Sequence, residues 1–152
     1  MRYLIGIGTY LGLDDSIGLR IAETIAEEGL DRGFVAVDMG GNLLDLVHYL
    51  GEATEAMLVV DCARMGREPG EFAFFTPAEV TTRKDLAGIS THEGDLLKVL
   101  ELASSLGQTL PPITIMGIEP AEVREEVGMS PALQAGFREY VDAAVGFFAP
   151  AR

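Results

Sequence analysis

A chain of 152 residues is long enough to bury a substantial core, and 48% hydrophobic with 23% charged residues is a globular balance rather than a disordered one. The formal net charge of −13 argues against nucleic acid or an anionic membrane as partner, since both demand a basic face, and favours cations or a basic partner surface. Cys62 has no second cysteine to pair with, no apolar run approaches the ~20 residues of a membrane span, and a strand-like segment begins by Tyr3, so one cytoplasmic domain over 1–152 is expected.

Tyr3-Leu4-Ile5-Gly6-Ile7 is short and continuously apolar, as in a strand covered on both faces. Gly6-Ile7-Gly8 then turns into Thr9-Tyr10-Leu11-Gly12-Leu13-Asp14-Asp15-Ser16-Ile17-Gly18. Ile17, Ile21 and Ile25 recur at helical spacing with Glu23, Glu27 and Glu28 outward, and Gly29 ends that helix. Phe34 to Val37 predicts a second strand closed by Asp38-Met39-Gly40-Gly41-Asn42, and Leu43, Val47 and Leu50 mark a shorter helix. Met57 to Val60 predicts a third, buried strand that terminates in Asp61. Phe72 to Phe75 follows too closely for a helical crossover and is expected to be an antiparallel edge strand. Thr82 to Gly88 reads as a loop, and Ser90-Thr91-His92-Glu93 has the form of a capping box opening a helix through Leu96, Leu100 and Ala103. Ile113 to Ile118 predicts a fifth strand, ended by Glu119. Ser130-Pro131 opens a last helix striped by Leu133, Phe137, Tyr140, Val141, Ala144 and Phe148.

This alternation predicts an α/β three-layer sandwich: a twisted, mostly parallel five-stranded sheet, helices on both faces, one antiparallel edge strand. Ligands of such sheets gather beyond the carboxyl ends of the strands. There the sequence places Asp15, Asp38, Asp61 and Glu119, with His92 opening a helix within reach of the same rim. The first turn is Gly-x-Gly-x-x-x-Gly, not the dinucleotide fingerprint, and Asp14 and Asp15 hold the position a pyrophosphate would need. The turn is therefore read as aiming a carboxylate outward, at a metal or a cationic substrate.

Each feature has a plainer reading. Asp14 and Asp15 both suit a helix N-terminus, but a helix needs only one cap, which leaves the second acid to explain. Asp38 with Gly40-Gly41 is equally well a simple turn. His48 reads as a surface residue, and Cys62 as a small buried one without a nucleophile's cationic setting. Asp61 is the firmest candidate, because a carboxylate at the edge of a buried strand is costly unless it is used. Two aspartates and a histidine from separate strand exits can hold a divalent cation with positions open for substrate, and nickel, zinc and manganese fit that donor set about equally.

With these residues laid out, the chain resembles the hydrogenase maturation protease family over nearly its whole length. The resemblance is carried by Gly6-Ile7-Gly8 with Asp14-Asp15-Ser16-Ile17-Gly18, by Asp38 with Gly40-Gly41, and by Leu58-Val59-Val60-Asp61-Cys62-Ala63. It continues through Ile89-Ser90-Thr91-His92, Gly117-Ile118-Glu119-Pro120 and Gly128-Met129-Ser130-Pro131. It implies an endopeptidase that removes the C-terminal extension of a nickel–iron hydrogenase large-subunit precursor after nickel insertion. The family's metal-contacting residues fall on Asp15, Asp61 and His92, which are implied to be catalytic as well. The nickel would come from the precursor, and other divalent cations are expected to be able to occupy the site. Asp38, Gly40 and Gly41 are candidate substrate contacts. Thr9, Ser16 and Asn42 depart from the family's usual Asn, Gly and Thr. Two other readings are a non-catalytic metal-binding or metallochaperone module and a nucleotide-binding α/β protein; the two acids of the first turn weigh against the latter.

Overall fold

The computed structural model describes residues 1–79 and 91–149, with residues 91–94 described by their backbone. The expected loop at Thr82 to Gly88 and the expected cap at Ser90 lie outside the described residues. Five strands, β1 (Arg2–Ile7), β2 (Val35–Gly40), β3 (Ala56–Cys62), β4 (Phe72–Phe75) and β5 (Ile113–Ile118), form one sheet in the order β2-β1-β3-β5-β4. The pairs β1–β2, β1–β3 and β3–β5 are parallel, and β4 runs antiparallel to β5 at the edge. Helices bounded within the described residues are α1 (Ile17–Glu27), α2 (Thr91–Ser105) and α3 (Pro131–Phe147), with 3-10 turns at Leu13–Ser16 and Leu43–Tyr49. This is the α/β sandwich expected from the sequence.

The strands read as unbroken apolar runs because both faces are covered. Leu4, Leu58, Val60, Met116 and Ile118 pack with Ile17, Ile21 and Ile25 of α1 and with Leu133, Tyr140 and Val141 of α3. The alternate residues Ile5, Ile7, Met57, Val59 and Ile115 pack on the opposite face against Leu43, Leu46 and, from α2, Leu96, Val99 and Ala103. Leu43 to Tyr49, where the spacing predicted a short helix, is a 3-10 turn: Leu43 and Leu46 are the buried pair, three residues apart, while Val47 is half-buried. Among the described residues no helix is long and apolar enough to cross a membrane.

Two close approaches set the first turn against the sheet. At Gly18 a Cβ would overlap the Val60 carbonyl oxygen and stand 2.6 Å from that of Ile7, so the start of α1 lies directly on the carboxyl ends of β3 and β1. Gly8, at φ +135°, makes the turn out of β1, and its N–H donates to the Gly40 carbonyl at 3.3 Å.

Candidate functional site

The parallel strands end on one edge, and the first turn folds over it. Within that turn the Thr9 N–H donates to the Asp15 carbonyl (3.2 Å) and the Asp15 N–H to the Gly12 carbonyl (3.1 Å). Leu13 takes φ 53°, the left-handed region, at a cost of roughly 1–2 kcal/mol for a residue with a side chain. That reversal points the two successive acids into different surroundings.

Asp14 is fully buried, and its carboxylate accepts three backbone N–H groups: Ala121 at 2.8 Å, Glu122 at 3.0 Å and Ser130 at 2.7 Å. It is a clamp between the first turn and the segment leading into α3. The adjacent pair therefore divides, with Asp14 structural and Asp15 left for the site. Neither acid caps α1, whose N-cap Ser16 makes no side-chain cap bond; the Ser16 hydroxyl lies instead 2.6 Å from the Leu13 carbonyl and 3.2 Å from that of Gly128. The expectation of an outward-aimed carboxylate is corrected: Asp15 is only 8% exposed, because the turn folds back on the sheet edge. Asp14→Asn is expected to cost roughly 3 kcal/mol, since an amide turns a donor toward N–H groups that need an acceptor. The urea midpoint should fall with the slope unchanged.

Asp61 lies within β3, one residue before its end, and is 1% exposed. The thiol of the next residue, Cys62, feels all three acids. Burial pushes that thiol far above its ordinary value, and the carboxylates of Asp61, Asp15 and Asp14 push it further, against a smaller opposing pull from Arg64. Cys62 is thus a buried, protonated thiol, as the sequence suggested.

His92 is the second residue of α2. Its imidazole lies outside the described side chains, so of the three predicted residues the structure describes the side chains of Asp15 and Asp61. Among the described residues no group of three His, Cys, Asp or Glu stands ready to hold a metal. Two carboxylates with an imidazole would make a mixed donor set of the kind nickel accepts.

The remaining candidates separate. Asp38 is inside β2 rather than at its end, exposed, and held by the Tyr10 hydroxyl, which lies 2.8 Å from Asp38 Oδ2 and 2.5 Å from Glu23 Oε2. Partial burial, then hydrogen bonding to the two carboxylates, raises the Tyr10 phenol well above its usual value. Gly41 lines a cavity of about 310 Å³ with Asn42, Leu43, Leu44, Asp95 and Lys98, which brings the loop after β2 to the early turns of α2. Glu119, counted among the acids of the rim, is a strut: its Oε1 accepts the N–H groups of Met65 (2.7 Å) and Arg67 (3.0 Å), fixing the loop after Asp61. His48 is exposed, as expected. The role of Asp14 was missed, although a second acid beside a turn that needs only one was its signal.

Fold and site define an α/β protein with paired acids buried at the carboxyl edge of a parallel sheet. The chain belongs to the hydrogenase maturation protease family, whose model matches residues 19–146. It is 29% identical over 126 residues to the hydrogenase expression/formation protein HupD of Rhodobacter capsulatus, covering 82% of this chain and 60% of that relative. The hydrogenase 2 maturation protease of Escherichia coli is 25% identical over 140 residues, covering 89% and 83% respectively. The chain spans about three fifths of the length of HupD and of its HoxM counterpart in Cupriavidus necator. In fold it matches the [NiFe] hydrogenase maturation protease HybD from Thermococcus kodakarensis, with a TM-score of 0.80 at 23% identity, covering 97% of this chain and 99% of that one. For E. coli HybD the TM-score is 0.79 at 20% identity, with coverage of 96% and 90%.

Proposed function

We propose that this chain is an endopeptidase that removes the C-terminal extension of a nickel–iron hydrogenase large-subunit precursor after nickel insertion. The observation that carries the reading is the placement of Asp15 and Asp61, two acids buried on neighbouring strand exits, in a chain of this family. The precursor's nickel is part of the substrate and serves as the recognition element. Asp15, Asp61 and His92 engage it and so position the adjacent peptide bond. Asp38, Gly40 and Gly41 lie farther along the rim as substrate contacts, and the compartment proposed is the cytoplasm.

Hydrolysis joins a water oxygen to the scissile carbonyl carbon, breaks the C–N bond and delivers a proton to the leaving amine. An aspartate of the pair takes the water's proton as general base and returns it to the amine. Nickel, as part of the substrate, can polarise the carbonyl. Cys62 is buried with its thiol held protonated, which favours this route over a cysteine nucleophile.

The test is to mix the protein with the precursor from its own organism, with and without nickel loading, and read intact mass. Loss of a C-terminal fragment from the loaded precursor alone is the expected result. A tight complex with an uncut precursor would overturn the protease reading in favour of a metal-binding module.

A further inference from the structure

The segment after β5 is braced along the first turn more firmly than a surface loop requires. Gly12 and Glu126 form a parallel bridge, the Leu13 N–H donates to the Glu126 carbonyl (2.8 Å), and the Glu126 N–H donates to the Leu11 carbonyl (3.0 Å). The Asp14 clamp and the Ser16 hydroxyl bond to Gly128 add to the brace. This rigid platform presents aliphatic side chains to solvent: Leu11 and Val127 are each 66% exposed and Val123 42%. Single exposed apolar residues are ordinary, but exposed apolar side chains gathered on a preorganised backbone and rimmed by polar residues are the form a contact surface takes.

Its position and charge select the occupant. Leu11 adjoins Gly12, where an added Cβ would stand 2.7 Å from Asp15 Cβ, so the platform is continuous with the proposed cleavage site. Between Val123 and Val127 lie Arg124, Glu125 and Glu126, and Arg124 is already paired with Glu122 (2.7 Å) and Glu126 (2.5 Å), which leaves the rim acidic. A cavity of about 270 Å³ between this segment and the start of α3, lined by Leu13, Val127, Met129 and Gln134 among others, offers room for a partner side chain. We infer that Leu11, Val123 and Val127 form a docking surface for the folded body of the precursor, seating an apolar patch with a basic rim. The inference rests on the proposed function for the identity of its partner.

The experiment measures both the affinity for the nickel-loaded precursor and the rate of its cleavage, for the wild type and for L11K, V127K and L11D. Each side chain faces solvent, so circular dichroism and melting should be unchanged. The lysine variants are expected to weaken binding by about tenfold or more, with L11D less affected than L11K. KM should rise with kcat retained. Wild-type affinity in the lysine variants would overturn the docking surface. So would a concentration-dependent dimer of this chain that L11K dissolves, or a wild type that fails to bind any precursor. Binding that L11K weakens, in a wild type that cuts nothing, would support the surface while removing the protease reading, so the two stand or fall separately.

Discussion

Replacing Asp15 or Asp61 by asparagine is expected to slow cleavage of the nickel-loaded precursor by roughly 10²–10⁴-fold, the range associated with losing a positioned proton acceptor. Both side chains are almost wholly buried, at 8% and 1% exposure, and the amide keeps their size, so the melting temperature should move far less than the rate. His92→Ala is expected to act in the same direction. The three losses should not add, because the groups serve one constellation. The kinetic form of each loss assigns its role. A carboxylate that chiefly engages the nickel raises KM when neutralised, whereas one that handles the proton lowers kcat at saturation. Wild-type cleavage by all three variants would sink the assignment.

Gly18→Ala should be among the most damaging single methyls in the first quarter of the chain. The new Cβ would overlap the Val60 carbonyl oxygen and press on that of Ile7 at 2.6 Å. Neither neighbour is a flexible side chain; both are backbone in the central strands β3 and β1. The start of α1 must lift, at a cost of about 3 kcal/mol, the upper part of the range for overpacked sites. Because the 3-10 turn carrying Asp15 runs directly into α1, the same displacement draws Asp15 away from Asp61. Stability and cleavage should therefore fall together, in contrast to the aspartate variants. A Gly18→Ala protein with unchanged urea midpoint and rate would show that the helix is not seated as described.

Much of this architecture was legible in the residues themselves, for a physical reason. Tyr3 to Ile7, Met57 to Val60 and Ile113 to Ile118 are apolar on both faces, a pattern that parallel strands under helices require. The short gap before Phe72 excluded a crossover, and β4 is antiparallel to β5. Less legible was whatever depends on a partner distant in sequence. Asp14 and Asp15 look interchangeable in a string, and only the reversal at Leu13 with the N–H groups of residues 121–130 separates them. Glu119 looked like a rim acid until the N–H groups of Met65 and Arg67 were seen to occupy it. Asp38 looked like the end of a strand, but β2 runs on to Gly40, where Gly40 pairs with Ile7 across a shift in register. At Leu43 to Tyr49 the apolar spacing suited either kind of helix, and burial of the three-apart pair decided it.

The Asp14 clamp also bears on the birth of the protein. Its bond to Ser130 spans 116 positions, so part of the anchoring of the turn that carries Asp15 comes from residues synthesised long after it. A nascent chain that has emerged as far as β3 contains Asp15 and Asp61 but lacks the three N–H groups that Asp14 accepts. Long-range closure of this kind comes late, since the entropy of a large loop must be overcome first. On the ribosome, then, the chain carries Asp15 and Asp61 before it carries the far side of the clamp that fixes the turn.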